Sequence, residues 1–275
     1  MYAVSSFTPL FFNPTTDRFG AGSKYMQIFA YSDQILIEVI AISEYRTITG
    51  KLHNLVNGTI IELKWNIWSM NDTTTLYYYV LTGLDNGYYT VELNGIVSEI
   101  FRVTNDAHEL SGTTLIQYSM NDNRQRKDGV FWIAGKQYFF DWRVPGGFKD
   151  TDWIFGVNNE QFTTTDEDVV DLFSNESTQR SFTLGNAAGC PVWFADLLNR
   201  IMSCSYVYFD GQRYVRKDSS VPEMTQELEN IKSYIFKILL QEVKYIDRIE
   251  SENLIKIRRV ESDYYRTVTN KLLIV

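Results

Sequence analysis

The residues that could carry out chemistry are few and far apart. The chain of 275 residues contains two histidines, His53 and His108, and two cysteines, Cys190 and Cys204. A Ser-His-Asp or Cys-His pair is conceivable, but no nucleophile motif accompanies either histidine. We therefore expect both histidines to be structural or surface residues. The sequence predicts no catalytic residue, and we expect a protein that is not an enzyme.

Metal and phosphate sites have equally little support. The densest acidic cluster, Asp166-Glu167-Asp168 with Asp171, lacks the alternating ligands and central glycine of an EF-hand loop. We predict that these acids begin a short helical turn over residues 168–173, with a calcium site as the alternative. Gly146-Gly147 and residues 185–189 lack the spacing of a phosphate loop, so we expect them to supply positive φ or close backbone approach. No metal or cofactor is predicted.

The charge of the chain argues against specific binding of nucleic acid. The 34 acidic and 26 basic residues give a formal charge of −8. Nucleic-acid binding depends on Lys and Arg residues that neutralise phosphates. The basic clusters at residues 124–127, 213–217 and 256–259 are short and adjoin acidic residues. We interpret them as solvated faces or salt-bridge partners.

The cysteines indicate a reducing compartment. Cys190 and Cys204 flank a predicted helix, which would hold them roughly 15–20 Å apart at a rise of 1.5 Å per residue. That separation exceeds the reach of a disulfide, and free thiols are typical of proteins made in a reducing compartment. The N-terminal sequence has no basic region and no adequate apolar run, so we predict no signal peptide. No run of about 18 apolar residues is present, so we predict no membrane span.

Aromatic residues make up 15% of the chain, with 18 Tyr, 17 Phe and 6 Trp. Aromatic side chains favour strands and anchor interfaces. A carbohydrate-binding adhesin module is the alternative function, because Trp65, Trp68 and Tyr77-Tyr78-Tyr79 could form an exposed platform for sugars. On strands, however, about half of such rings must face the core.

The clearest local signals lie in residues 182–217. A strand at residues 182–184 leads through a glycine-containing turn to a buried helix at about 191–203, for which Pro191 suits the first position. Two β-rich runs then flank Asp210-Gly211. This dipeptide favours a type I′ hairpin turn, in which both central residues have positive φ.

The sequence predicts a mainly β protein in three parts. Residues 1–105 alternate short strands with Asn/Asp-Gly turns such as Asn94-Gly95, which favours an immunoglobulin-like β-sandwich. Residues 113–218 form a β-rich α+β domain, within which residues 148–159 are predicted to be an irregular loop. Residues 219–275 are predicted to form a C-terminal helix, from about 222 to 246, and a strand-like tail, with a helix that continues to residue 260 as the alternative.

Four short motifs of the C-terminal half recur together in a known group of proteins. They are Glu160-Gln161-Phe162, the T-L-G-N turn at 183–186, the G-x-P-x-W sequence at 189–193 and the D-G hairpin at 210–216. With the flanking residues 146–162 and 171–223 they resemble structural proteins encoded by phages of Bacteroidetes hosts, especially the crAss-like group and related prophages. The immunoglobulin-like part is not specific to that group.

The resemblance implies a virion component of the tail, neck or baseplate, made in the cytoplasm of the bacterial host, and it supplies no catalytic residues. We expect copies of the chain to form a closed ring through heterologous contacts. Other tail or portal-proximal proteins would be further partners. DNA would pass nearby without specific binding, because an acidic surface repels it. Residues 254–275 are expected to contribute to a neighbouring copy.

Overall fold

The computed structural model describes residues 2–12, 25–42, 47–217, 223–226, 233–243, 257–260 and 265–268. Over these residues the protein is mainly β, with several sheets and two short helices. This agrees with the predicted fold class at that level.

The N-terminal part consists of two facing sheets. Their strands are β1 (Tyr2–Val4), β2 (Gln27–Ala30), β3 (Ile35–Ile42), β4 (Gly50–Asn54), β5 (Ile60–Glu62), β6 (Asn66–Asn71), β7 (Thr74–Leu81), β8 (Gly87–Leu93), β9 (Ile96–Val97) and β10 (Phe101–Thr104). The first sheet has the order β1-β3-β7-β6, and the second has the order β2-β10-β8-β4-β5, with β9 beside β8. Strands β2 and β10 run parallel. Asn94 and Gly95 have φ values of 46° and 85°, as a type I′ turn requires.

Strand β3 is buried on both faces, which explains its nearly continuous apolar sequence. Ile35, Ile37 and Val39 pack into the core between the two sheets. Leu36 and Ile40 face the other way and join a second core that extends into the C-terminal part. The first sheet is therefore the middle layer of the molecule.

The C-terminal part is built on a third sheet. After helix α1 (Ala107–Ser111) come β11 (Thr113–Ser119), β12 (Trp132–Ile133), β13 (Lys136–Gln137), β14 (Phe140–Thr163), β15 (Val169–Leu184), helix α2 (Val192–Ile201), β16 (Tyr206–Phe209), β17 (Gln212–Arg216), β18 (Glu223–Gln226) and β19 (Tyr234–Glu242). The sheet order is β15-β14-β11-β16-β17-β19-β18. Strands β12 and β13 form a separate hairpin, as do β20 (Ile257–Val260) and β21 (Tyr265–Val268). The last pair lies within the segment predicted to be a strand-like tail.

Helix α2 covers this sheet within the segment predicted to be helical. It begins after Pro191, whose extended backbone serves as the N-cap. Trp193, Phe194 and Leu197 are buried, and the Phe194 ring lies 5.2 Å from that of Trp142. Asp210 and Gly211 have φ values of 48° and 88°, so the predicted type I′ hairpin between β16 and β17 is confirmed.

One of the two cores spans the segment between the predicted domains, since it includes Leu36 and Ile40 as well as residues of the C-terminal sheet. Residues 105–112 contain α1, which the sequence did not predict; the Asp106 side chain caps it by accepting from the His108 amide at 2.8 Å. A buried ion pair joins the two parts elsewhere. The Arg143 guanidinium on β14 donates to both carboxylate oxygens of Asp33, at 2.7 and 2.9 Å.

The predicted C-terminal helix is wrong wherever the structure describes that segment. Residues 223–226 and 234–242 are the antiparallel strands β18 and β19. In β19 the buried side chains are Phe236, Ile238 and Leu240, every second residue, and not one helical stripe. The spacing of the apolar residues in this segment fits a helix as well as a strand. The segment forms a strand because it pairs with β15 and β17. The rest of the predicted helix, residues 222, 227–232 and 244–246, lies outside the described residues.

Two further predictions are wrong, and both concern the same hairpin. Residues 148–159 belong to β14 and are not an irregular loop, and residues 169–173 belong to β15 and not to a helical turn. Fourteen residue pairs link these two strands. Many of the residues involved are polar and few are buried, so the segment lacks the hydrophobic alternation that marks a half-buried strand.

Candidate interaction surface

The hairpin of β14 and β15 extends well beyond the sheet from which it starts. Strand β11 pairs with β14 only as far as Pro145, and β19 pairs with β15 only from Gln179. Residues 150–178, which we call the arm, project past both neighbours. Fourteen residues of strand correspond to about 45 Å at roughly 3.3 Å per residue.

Both faces of the arm carry exposed apolar side chains. Trp153, Phe155 and Val157 alternate along one face, and Phe155 is 76% exposed. Ile154 and Phe162 lie on the opposite face. The other exposed large apolar residues of the arm are Val169, Val170, Leu172 and Phe173. A strand covered on one side would show such residues on one face only.

The base of the arm is held by stacking across an irregularity in β14. The register shifts between Phe148, which pairs with Phe182, and Trp153, which pairs with Arg180. The Arg180 guanidinium lies 4.6 Å from the centre of the Phe148 ring and 4.2 Å from that of Trp153. It also donates to the carbonyl of Lys149 at 3.2 Å. A register shift of this kind re-aims a strand, and here it marks where the arm leaves the sheet.

The acidic cluster singled out in the sequence forms the tip of the arm. The Thr164 amide donates to the Asp168 carbonyl at 2.8 Å, and the Glu167 amide donates to the Thr164 carbonyl at 3.1 Å. Glu167 has a φ of 66°. Asp166-Glu167-Asp168 is therefore a hairpin turn. Over the described residues no group of three or more His, Cys, Asp and Glu side chains is arranged to hold a metal ion.

Among the described residues, no further strand lies beside either outer edge of the arm. No described strand pairs with residues 146–163 on the outer side of β14 or with residues 169–178 on the outer side of β15. A row of unpaired N–H and C=O groups is a template for another strand. An isolated two-stranded hairpin is at best marginally stable in water.

The arm also carries a large share of the acidic charge. Residues 150–178 contain eight Asp and Glu residues and no Lys, Arg or His. The rest of the chain then has 26 acidic and 26 basic residues and is formally neutral. The formal net charge of the whole chain, −8, therefore equals the formal charge of the arm.

The aromatic residues considered for sugar binding are used for packing. Trp65 packs against the core between the sheets and makes an edge-to-face contact with Tyr79 at 6.5 Å. Trp68 and Tyr78 pack on the second core, and Tyr77 is buried. These rings do not form an exposed platform.

The other candidate residues are also built into the fold. The His53 ring lies 2.9 Å from the Glu92 carboxylate across β4 and β8, and the His108 amide takes part in capping α1. Both cysteines are free. Burial raises the pKa of the Cys190 and Cys204 thiols to about 12, so neither is an activated nucleophile.

Glu38 is a buried carboxyl group that the sequence did not single out. It lies on β3 and is fully buried between the two parts, where Oε2 accepts from the Val130 amide at 3.1 Å. Its Oε1 has no hydrogen-bond partner among the described residues. Burial raises the pKa of Glu38 to about 8. The acid at an inward position of an otherwise apolar strand was the signal in the sequence.

A cavity of about 850 Å³ lies between the N-terminal segment, the turn from β8 to β9, and α2. Leu10, Phe11 and Trp193 line it, and Arg200 and Asp196 form an ion pair of 3.1 Å at its wall. Its lining contains neither histidine nor cysteine. It is therefore a mainly apolar recess in which the lining hydroxyl groups of Ser5, Ser6 and Thr8 have no histidine among the lining residues to activate them.

The comparisons with known proteins give no family for the chain. No protein-family model matches it, and a search of curated proteins found no match either. Among the helices that the structure describes, none combines the length and the apolar character needed to cross a bilayer.

Proposed function

We propose that this chain is a non-enzymatic structural protein of a tailed bacteriophage particle, in which copies assemble into a ring in the tail, neck or baseplate. The observation that carries the proposal is the arm, which exposes apolar side chains on both faces and has no further strand beside either edge among the described residues. Such an element is stable when other protein covers it. The sequence motifs at 160–162, 183–186, 189–193 and 210–216 support the phage assignment through their resemblance.

The N-terminal part is, in this proposal, an immunoglobulin-like module. The order β1-β3-β7-β6 in the first sheet and the run β10-β8-β4 in the second support this, because such sandwiches have the orders ABED and GFC. The module would serve as a scaffold, because its second face supports the C-terminal sheet through Leu36, Ile40 and Leu76. Sandwiches of this kind host many functions, so the module by itself assigns none.

The cellular setting follows from the same proposal. The chain would be made in the host cytoplasm, where free thiols persist, and would then join the particle beside other tail or portal-proximal proteins. Its formal charge of −8 disfavours specific contact with DNA that passes nearby.

Mass measurement tests the proposal. Light scattering on the purified chain at several concentrations, followed by negative-stain imaging, should give a discrete closed ring. Peptides of the chain should also be found in purified phage particles by mass spectrometry. A chain that stays monomeric at every concentration would contradict ring assembly.

A further inference from the structure

The exposed apolar surface of the arm has the size of a protein interface. Its nine large apolar side chains are between 43% and 76% exposed. Together they expose about 900 Å², given that aromatic side chains carry roughly 150–250 Å² each and aliphatic ones somewhat less. A stable complex buries about 800 Å² on each partner. The apolar area that the arm exposes on its two faces together is thus comparable to the area that one partner buries in a stable complex.

The edges of the arm indicate which partner fits. β14 runs towards the tip and β15 runs back, so the two free edges have opposite directions. When two arms lie side by side with their tips pointing the same way, β15 of one copy meets β14 of the next in antiparallel orientation. Each further copy repeats this contact, whereas a single strand of another protein would cover one edge only. When the last copy pairs with the first, no arm has an unpaired edge.

We propose that the arm pairs edge to edge with the arm of a second copy of this chain, so that the arms form one continuous antiparallel sheet. This inference rests on the proposed ring and specifies its contact. Pairing would then bury the sides of these apolar side chains against same-face neighbours on the adjacent arm, and closure of the sheet would turn one face inward.

The charge of the arm sets a condition on this contact. Each arm brings eight acidic residues and no basic ones to its neighbour. Like charges held side by side oppose pairing, and salt screens them. Arm-to-arm assembly should therefore strengthen as salt is added. Docking of the arm on a basic partner would weaken instead.

The test uses the full chain in sedimentation velocity at low and high NaCl concentrations. We expect the apparent dissociation constant of the wild-type oligomer to fall at least tenfold at the higher salt. The double variant Phe155→Asn/Phe162→Asn should raise that constant at least tenfold. Ile67→Asn is the matched control, because Ile67 is 60% exposed on β6, outside the arm, and it should leave assembly unchanged.

Hydrogen exchange then reports on the edges themselves. About half of the amides in an isolated hairpin point outwards, so peptides covering residues 150–163 and 169–178 should roughly double their number of protected amides on assembly. A ring that forms without this protection, that tolerates the double variant, or that weakens with salt would overturn edge pairing and leave the ring standing. A wild-type chain that is monomeric under all conditions would overturn both proposals.

Discussion

The guanidinium of Arg180 lies 4.2 Å from the centre of the Trp153 ring, at the point where the arm leaves the sheet. The same group lies 4.6 Å from the Phe148 ring on the near side of the register shift. One cation thus joins the sheet to the base of the arm. Because Arg is planar, it stacks on both rings, which a Lys side chain does less well.

We therefore expect Arg180→Lys to loosen the base of the arm although it keeps the charge. Cation–π contacts are worth about 0.5–2 kcal/mol, so the free energy of unfolding should fall by about 1–2 kcal/mol. Urea denaturation followed by tryptophan fluorescence measures this. Lys237→Arg is a control, because Lys237 is exposed on β19, and it should have no effect. Equal stability of Arg180→Lys and the wild type would contradict the stacking argument.

A second prediction concerns the ion pair between the two parts. Asp33 is 3% exposed and accepts from Arg143 and from the Ala30 amide, the latter at 2.7 Å. Removal of Asp33 leaves the Arg143 charge with only the weaker interactions of Asp141 and Asp210, and breaking a buried ion pair costs about 3–5 kcal/mol. We expect Asp33→Ala to lower the free energy of unfolding by that amount. Urea denaturation measures it.

The double variant Asp33→Ala/Arg143→Ala is the control for this prediction. With both charges removed, the loss should be smaller than the sum of the two single losses. Additive losses would show that the two side chains stabilise the fold separately and that the ion pair does not link the parts.

Much of the fold could be predicted from local sequence, for identifiable reasons. Asn94-Gly95 and Asp210-Gly211 define their hairpins because both residues of a type I′ turn need positive φ. Strand β3 could be recognised as central because both of its faces are apolar. Pro191 marks the start of α2. Each of these features depends on the types of a few neighbouring residues and can therefore be predicted from local sequence.

The arm and the C-terminal strands could not be predicted in the same way. The apolar positions of β19 fit a helix as well as a strand, and only its pairing with β15 and β17 decides. The arm carries exposed apolar residues on both of its faces. Its sequence therefore lacks the contrast between buried and solvated faces from which a strand is recognised.

Glu38 gives a prediction about pH. Its pKa is raised to about 8 in the folded protein and returns to an ordinary value on unfolding. As the pH rises from about 4.5 to 8, the unfolded chain loses this proton first, so the stability falls. The loss is on the order of 4 kcal/mol at pH 8 and above.

Glu38→Gln should remove this dependence, because an amide stays neutral. We expect the variant and the wild type to be similarly stable near pH 4.5 and the variant to be more stable at pH 8.5. Urea denaturation at both pH values tests this. Glu62→Gln is the control, since Glu62 is exposed on β5, and it should follow the wild type. A difference between Glu38→Gln and the wild type that does not change with pH would contradict the prediction.

Gly146, which lies on β14 shortly before the arm, gives the last prediction. Gly146 has a φ of 105°, and a Cβ there would overlap the carbonyl oxygen of Thr183 on β15. Gly146→Ala should therefore cost about 3 kcal/mol or more in free energy of unfolding, from backbone strain and the overlap together.

Gly135 is the control that separates the backbone strain from the overlap, since it has a φ of 78° but no atom within 4 Å of a Cβ. Gly135→Ala should cost only about 1 kcal/mol. Equal losses in urea denaturation would mean that the close approach of β14 to β15 does not require glycine.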